Sequence, residues 1–361
     1  MFLLIQLYCF SYMYAGGDAV FDKLFAEQKK YTFCGTLYDN ETGLPVSNVN
    51  VFLDGTQIGT ATDANGKFEL NVPNAIHTSL VFSHISYIQL SFPDPYKDLP
   101  DTIFLTPKVQ ELSPVDIIDR RDPFTRAEKM KTFKEQFLGM DVAGKACTIK
   151  NENDIYLIYN TDTKTLSANS KHPLLIENEY LAYNIRFELL TFSVTFVDYT
   201  LHNTSVSKFL FYGTAFFSNR LGDKEIERRR EKIYQGSDLC FFKNFVNNTL
   251  KKSKFEVFNQ GVPIDLRDYF TIQDTLSVKK VTIKPKKLEI PPSNYYQDVT
   301  GKISVLYNKK LSSYILFRTD SFMVDNFGYI NMVDKIVFYG WFGQQRVGNM
   351  LPIDYHQDEK K

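Results

Sequence analysis

Residues 35–70 read G-T-L-Y-D-N-E-T-G-L-P-V-S-N-V-N-V-F-L-D-G-T-Q-I-G-T-A-T-D-A-N-G-K-F-E-L, and this alternation of short apolar runs with turn residues decides the fold. Residues 49–53 place Val, Val and Leu at every second position, which is the period of a strand that buries one face. Asp54-Gly55 predicts a tight hairpin turn, and Asp63-Ala64-Asn65-Gly66 predicts a second hairpin loop. Strands this short and this regularly spaced predict an antiparallel β-sandwich rather than a parallel α/β sheet.

The same residues resemble the carboxypeptidase-like regulatory domain, whose fold is a transthyretin-like β-sandwich. The resemblance extends over residues 30–118 and includes the later F-S-H-I-S-Y (Phe82 to Tyr87), where Ser86 stands in place of the usual glycine. The matching positions are Gly35, Asp39, Thr42-Gly43, Pro45, Val49, Val51, Gly55-Thr56, Gly59-Thr60, Thr62-Asp63, Gly66 and Phe68. Turn geometry is a sufficient reason for these glycines and polar residues, so the match implies a fold and no chemistry.

Composition supports a folded, strand-rich chain of two or three domains. The 361 residues are 43% hydrophobic and 23% charged, and aromatic residues reach 15% with 31 Phe and 22 Tyr. Aromatic side chains favour half-buried pleated surfaces. The formal net charge is zero, which gives no long-range attraction for a polyanion and argues against a nucleic-acid partner.

The remainder of the chain predicts a linker helix over residues 119–142 and a β-rich C-terminal domain of α+β type over residues 143–355. Thr125-Arg126-Ala127-Glu128 is typical of a capping box at a helix start. Separate strands are predicted at Tyr183 to Phe192 and at Val194 to Thr200, and two helices at Asp223 to Tyr234 and after Ser237. The fold class is therefore mainly β, an immunoglobulin-like or transthyretin-like sandwich followed by a β-rich domain with a few helices.

This second part is similar to a group of envelope proteins of the Bacteroidetes type. In these proteins a regulatory-type sandwich precedes a β-rich domain of unassigned activity, so the resemblance implies a near full-length match and no catalytic residue. Ala182 stands where a glycine often precedes the tyrosine of the third motif. The motifs are F-L-G (Phe137 to Gly139), C-T-I-K-N (Cys147 to Asn151), P-L-L-I-E-N-E-Y-L-A-Y-N-I (Pro173 to Ile185), R-R-R-E-K-I-Y-Q-G-S (Arg228 to Ser237) and Q-R-V-G-N-M-L-P-I-D-Y (Gln345 to Tyr355).

The termini bear on localisation. Residues 1–17 combine an uncharged apolar run with Ala15-Gly16-Gly17, which predicts a signal peptide; a buried N-terminal strand or helix is the alternative. No later segment is long and apolar enough to predict a transmembrane helix. Residues 356–361 form a charged tail.

The sequence lacks the motifs that several classes of enzyme require. The only H-x-x-E string, His356-Gln357-Asp358-Glu359, lies in the charged tail, and neither G-x-S-x-G nor a phosphate-binding glycine loop occurs. Cys147 and Cys240 could form a disulfide, but packed free thiols are the favoured interpretation. For Cys240 a packed thiol is likewise favoured over a catalytic nucleophile. Asp320 and Asp325 frame a strand and would form a glycosidase-style pair only if folding brought them together. The sequence thus predicts no catalytic residue, no metal and no cofactor.

Two clusters are candidate binding residues. Arg228, Arg229 and Arg230 could contact phosphate or sulfate, although helical ion pairs with Glu225, Glu227 and Glu231 are a sufficient explanation and the favoured interpretation. Tyr339 and Trp341, in F-Y-G-W-F, could stack a sugar or a partner surface, or could pack in the core.

These observations lead to a non-catalytic, exported envelope protein of the periplasm or outer membrane, which binds or organises a protein or glycan partner through its β-domains. An enzyme with an unrecognised active site in the C-terminal domain is the alternative. A fragment of an outer-membrane transporter is disfavoured, because its barrel needs many more strands than this chain can provide.

Overall fold

The computed structural model describes residues 30–73, 75–108, 122–220, 222–275, 278–284, 288, 299–330 and 335–355. The predicted signal peptide at residues 1–17, the tail at 356–361 and its H-x-x-E string lie outside the described residues.

The first folded unit is a sandwich of two small sheets, as predicted. One sheet has the strand order β4-β1-β7 and the other β3-β2-β5-β6, and every pair is antiparallel except β1 with β7. Alternate residues of β4 are buried, because one face of each sheet contacts the core. The elements are β1 (Tyr31–Asp39), β2 (Asn50–Leu53), β3 (Gly59–Ala61), β4 (Lys67–Val72), β5 (Leu80–Ser83), β6 (Leu90–Phe92), α1 (Pro95–Asp98) and β7 (Thr102–Leu105).

The two predicted loops of the sandwich differ in their outcome. Asp54 and Gly55 do turn the chain between the antiparallel strands β2 and β3. The loop at residues 63–66 is not a hairpin, because β3 pairs with β2 in one sheet whereas β4 pairs with β1 in the other. This loop therefore crosses between the two layers, which local turn chemistry cannot distinguish from a hairpin.

The helix expected as a linker is part of the second domain. It divides into α2 (Arg126–Phe137) and α3 (Val142–Lys145), and the predicted capping box between Thr125 and Glu128 is present. The side chain of Phe133 is fully buried, with its ring 4.7 Å from that of Phe192. A helix that contributes such residues to a core is not a spacer.

A six-stranded sheet packs against α2. Its order is β8-β11-β12-β10-β9, and β13 pairs with the other edge of β12. The break predicted between Phe192 and Val194 is wrong, because β12 is one 14-residue strand. Its pairing with β13 has two register shifts, one between Leu189 and Thr191 and one between Thr195 and Phe196. The strands are β8 (Cys147–Ile149), β9 (Ile155–Asn160), β10 (Thr165–Ser170), β11 (Leu174–Asn178), β12 (Tyr183–Phe196) and β13 (Val206–Asn219).

The C-terminal half adds two helices and two further sheets. The predicted helix starts are confirmed, with Asp223 capping α4 and Ser237 capping α5. In the described residues one sheet has the order β15-β14-β18-β19-β21 and the other β16-β17-β20. The elements are α4 (Lys224–Gln235), α5 (Asp238–Val246), β14 (Phe255–Asn259), β15 (Val262–Pro263), α6 (Leu266–Tyr269), β16 (Phe270–Asp274), β17 (Val278–Ile283), β18 (Gly301–Tyr307), β19 (Leu311–Phe317), β20 (Ser321–Asp325) and β21 (Ile336–Gly340).

The sandwich and the second domain are joined by a tight junction. Phe327 and Ile353 of the second domain complete the hydrophobic core of the sandwich. The β2–β3 turn bonds to β13, since the Gly55 N–H donates to the Ala215 carbonyl at 2.7 Å and the Phe217 N–H donates to the Thr56 carbonyl at 3.0 Å. Backbone bonds and shared core side chains therefore fix the sandwich on the second domain.

Candidate binding site

The three consecutive arginines of α4 do not converge. Arg228 is exposed and pairs with Glu225 at 2.8 Å, while the guanidinium of Arg229 lies 4.8 Å from the ring centre of Tyr180. The helical ion pairs predicted as the alternative to an anion site are present at all three arginines, since Arg229 also pairs with Glu225 at 3.4 Å and Arg230 pairs with Glu227 at 2.8 Å.

Arg230 points into the protein and is almost completely buried. Its Nε donates to the Leu181 carbonyl at 2.8 Å, and its Nη2 donates to the Ala182 carbonyl at 3.0 Å and to Asn219 at 2.8 Å. Its guanidinium carbon lies 4.0 Å from the ring centre of Tyr183. Because its donors are used within the fold, Arg230 holds the turn before β12.

Tyr339 and Trp341 have different surroundings. The Tyr339 ring stacks on the ring of Tyr314 with centroids 4.4 Å apart and an angle of 8° between the planes. The half-buried Trp341 packs against the hydrophobic core, and its Nε1 donates to the Gly236 carbonyl at 2.9 Å. Trp341 thus ties β21 to the end of α4, whereas Tyr339 belongs to an aromatic pair on the sheet.

The cysteines described by the structure are free thiols. Burial raises the pKa of Cys147 to about 12 and that of Cys240 to about 11. A thiol with a pKa this high is protonated at neutral pH and is a poor nucleophile. The packed-thiol interpretation therefore describes Cys240 better than a catalytic one.

Folding does not bring Asp320 and Asp325 together as a glycosidase-style pair would require. The strand β20 separates them, and five residues of extended chain span roughly 16 Å, well beyond the separation that glycosidase pairs use. Asp320 is exposed, whereas the buried Asp325 carboxylate accepts bonds from the N–H groups of Phe327 at 2.8 Å and Tyr329 at 2.9 Å. Asp325 therefore shapes the turn after β20.

Three of the four described histidines, His77, His84 and His172, have different neighbours. The His77 ring packs at an angle of 41° against the Tyr96 ring, His84 lies beside Tyr87, and His172 pairs with Asp154 at 3.0 Å. Within the described ranges no group of three His, Cys, Asp or Glu side chains could hold a metal ion.

A groove of about 560 Å³ lies beside the β14–β15 hairpin, at one edge of the five-stranded sheet. Its volume and largely apolar lining are typical of ligand sites. Sequence reasoning missed this groove, because its residues come from a loop, a hairpin and a short helix and share no motif. The buried side chains that line it are Leu250, Phe255, Val257 and Leu266, and the exposed charged ones are Lys251, Lys252, Glu256, Asp265 and Arg267.

Some of the charged side chains on the rim of this groove form ion pairs and others do not. Arg267 donates to Asp265 at 2.6 Å, and this side-chain bond lowers the pKa of Asp265 to about 2. Elsewhere on the rim, Lys251 and Lys252 have no carboxylate within ion-pair distance among the described residues. Two unpaired ammonium groups beside an apolar floor can accept a ligand that combines an apolar face with carboxylate or hydroxyl oxygens.

No described helix has the length and apolar character that crossing a lipid bilayer would require.

No curated protein matches the chain. Residues 33–99 match the CarboxypepD_reg-like domain family, and this segment covers β1 to α1 of the sandwich. Domains of this type are regulatory rather than catalytic. The N-terminal sandwich of this chain is therefore a CarboxypepD_reg-like domain.

Proposed function

We propose that the protein is a non-catalytic, exported protein of the bacterial envelope that binds a protein or glycan partner. The groove of about 560 Å³ beside β14 and β15 is the single observation that carries this proposal, because it joins a buried apolar floor to a charged rim. The partner is a chain with an apolar face and oxygen acceptors for Lys251 and Lys252.

The CarboxypepD_reg-like domain supports a binding role rather than an enzymatic one. Its turn carboxylate, Asp39, has a structural role, since it accepts bonds from the Thr42 N–H at 2.7 Å and from the Tyr87 hydroxyl at 2.7 Å. These bonds lower the pKa of Asp39, so the carboxylate stays ionised at neutral pH. A rigid sandwich joined to the second domain by backbone bonds suits a scaffold that presents a binding surface.

Glycan and peptide microarrays probed with the full chain test the groove. We expect the double variant Lys251→Glu/Lys252→Glu to lose at least about tenfold in affinity for the ligands that the wild type retains. Lys131→Glu/Lys145→Glu, which reverses two exposed charges on α2 and α3, should bind like the wild type. Equal loss in both variants, or no retained ligand on either array, would contradict the proposal.

Export is tested separately. N-terminal sequencing of the protein purified from its native cells should find a start at or just after residues 15–17, and the protein should fractionate with the envelope. If the protein instead retains residues 1–17 and is found in the cytoplasmic fraction, the proposed location in the envelope is wrong. The test of ligand binding in the groove does not depend on this result.

A further inference from the structure

The edge of the six-stranded sheet formed by β13 is covered along only part of its length. Among the described strands, β12 is the one that pairs with β13, and it does so along the whole length of β13. On its outer side the β2–β3 turn of the sandwich occupies Ala215 to Phe217, through bonds from the Gly55 N–H to the Ala215 carbonyl and from the Phe217 N–H to the Thr56 carbonyl. The turn thus already acts as a short added strand, and Thr56 forms a parallel bridge with Phe216.

The directions of the backbone groups beyond this turn follow from strand geometry. In an antiparallel strand the N–H and C=O of one residue point to the same side, and that side alternates along the chain. Since both backbone groups of Ala215 point outward, those of Gly213, Phe211 and Phe209 do as well. Within the described chain the backbone groups of these three residues have no partner on the outer side.

The side chains along this open edge are apolar on both faces. On one face Leu210 and Tyr212 are each 55% exposed. On the other face the half-buried rings of Phe209 and Phe211 border the hydrophobic core. Proteins usually protect exposed strand edges with charges, prolines or bulges. Residues 209–213 contain no charged residue and no proline, and both Lys208 and the register shift at Ser207 lie just before them.

A cation without a carboxylate partner lies beside the edge. The guanidinium carbon of Arg346 is 4.1 Å from the ring centre of Phe209, and its Nη1 donates only to the carbonyls of Gly343 and Gln345, each at 2.9 Å. Arg346 is half-buried, and burial lowers its pKa. No carboxylate lies within ion-pair distance of it in the part of the chain that the structure describes.

We propose that residues 209–213 of β13 receive an extended segment of a partner protein as an additional β-strand. Backbone bonds to Phe209, Phe211 and Gly213 supply the pairing, and alternate apolar side chains of the segment pack beside Leu210 and Tyr212. A carboxylate of the segment pairs with Arg346 or Lys208. This surface is separate from the groove, so the inference does not rest on ligand binding there.

The β2–β3 turn favours a segment of a partner protein, rather than a second copy of this chain, as the added strand. A second copy could pair with all three outward residues, Phe209, Phe211 and Gly213, only if the two strands ran antiparallel about Phe211. Residues 206–208 of one copy would then lie opposite residues 214–216 of the other, where the turn already sits. A free segment can instead end before the turn. The interaction is continuous with an interface that the protein already uses.

Amide hydrogen exchange of the full chain tests the open edge directly. In the free protein the amides of Phe209, Phe211 and Gly213 should exchange fast, whereas those of Leu210 and Tyr212, bonded to β12, should be protected. Protection of all five amides at every protein concentration would show that the edge is already covered and would overturn the proposal. Protection that appears only as concentration rises, together with a dimer in light scattering, would identify a second copy as the occupant and would also overturn it.

A phage-displayed library of random peptides of about nine residues tests the occupant. We expect selected peptides to alternate apolar residues, to carry an acidic residue and to protect the three outward amides. Synthetic peptides with N-methyl groups on the amides that face β13 should bind at least about tenfold more weakly, because they cannot donate to the edge. Selection of no binder, or binders that leave the three amides unprotected, would overturn the proposal.

Matched variants separate edge pairing from general adhesion. Leu210→Lys/Tyr212→Lys should lower peptide affinity by at least about tenfold. Leu175→Lys, which places a charge at an exposed position of the doubly paired strand β11, should have no effect. Both proteins should retain ligands in the groove, and equal peptide binding by all three proteins would refute edge addition.

Discussion

At the scale of single residues, the fold depends on the guanidinium of Arg230, which is buried although it lies in a highly charged helix. Arg230 bonds to two carbonyls of the turn at Leu181 and Ala182, and Ala182 has a φ of 51°, which non-glycine residues seldom adopt. We expect Arg230→Lys to lower the free energy of unfolding by about 2 kcal/mol, because an ammonium cannot reproduce the forked geometry. Arg228→Lys should change it by less than about 0.5 kcal/mol. Urea denaturation compares the two, and equal losses would mean that the buried bonds contribute little.

Two turn glycines of the sandwich offer a second comparison at this scale. Gly43 and Gly66 have φ values of 69° and 72°, so alanine is strained at both positions. A Cβ at Gly43 would meet no atom within 4 Å, whereas at Gly66 it would lie 2.5 Å from the Leu37 carbonyl oxygen. Gly43→Ala should cost about 1 kcal/mol and Gly66→Ala clearly more, as measured by thermal and urea unfolding. A larger loss at Gly43 would contradict this ranking.

At the scale of elements, the helix α2 follows the sandwich in the chain but belongs to the core of the second domain. Phe133 of α2 is fully buried and contacts both Phe137 and Phe192. We expect Phe133→Ala to lower the free energy of unfolding by about 3–5 kcal/mol, because it opens a cavity in the core. Ala127→Ser, at an exposed position of the same helix, should cost less than about 1 kcal/mol. Tolerance of Phe133→Ala would restore the view of α2 as a spacer.

Elements with local signals were predictable, and their arrangement was not. The capping box at Thr125, the cap at Ser237 and the turn at Asp54 and Gly55 each depend on side chains a few residues apart. The layer change after β3 depends instead on which strand β4 joins, and that choice is made by the packing of the whole sandwich. The groove escaped prediction for the same reason, since α6 and β14 meet only in the folded chain.

At the scale of the whole molecule, the junction combines apolar contacts with two carboxyl groups, of which Asp325 is buried and Asp54 is half-buried. Phe327 and Ile353 reach the sandwich core from the far end of the sequence, which no local periodicity could indicate. Beside them, Asp54 accepts a bond from the Ala215 N–H at 2.7 Å, and Asp325 accepts one from the His77 N–H at 3.4 Å. Each carboxyl group thus bonds to the backbone of the opposite domain, so its protonation affects how firmly the domains associate.

This arrangement predicts a dependence of stability on pH. Burial raises the pKa of both Asp54 and Asp325 from 3.8 to about 6. Below a pH of about 4 both groups are protonated in the folded and unfolded states alike, so they contribute no pH dependence. Between about pH 4 and pH 6 the unfolded chain releases protons that the folded protein retains, so stability falls as pH rises; above about pH 6 the loss is complete. For Asp325, which is 2% exposed, the loss amounts to at most about 3 kcal/mol.

Neutral amides at these positions isolate the effect from the other titrating groups. Asparagine carries no charge and keeps one oxygen acceptor, so Asp325→Asn and Asp54→Asn should remove the pH-dependent penalty. At position 325 the amide nitrogen replaces one of the two carboxylate oxygens that accept from His77, Phe327 and Tyr329, which adds a loss of stability that does not vary with pH. We therefore expect their stability, relative to the wild type, to increase between about pH 4 and pH 6 and then to level off, as measured by urea unfolding across that range. Asp320→Asn, at an exposed position on the other end of β20, should show a constant difference. A flat or falling difference for Asp325→Asn would show that the junction accommodates the charged carboxylate without cost, because only a carboxyl group that stays protonated in the folded state can produce the rise.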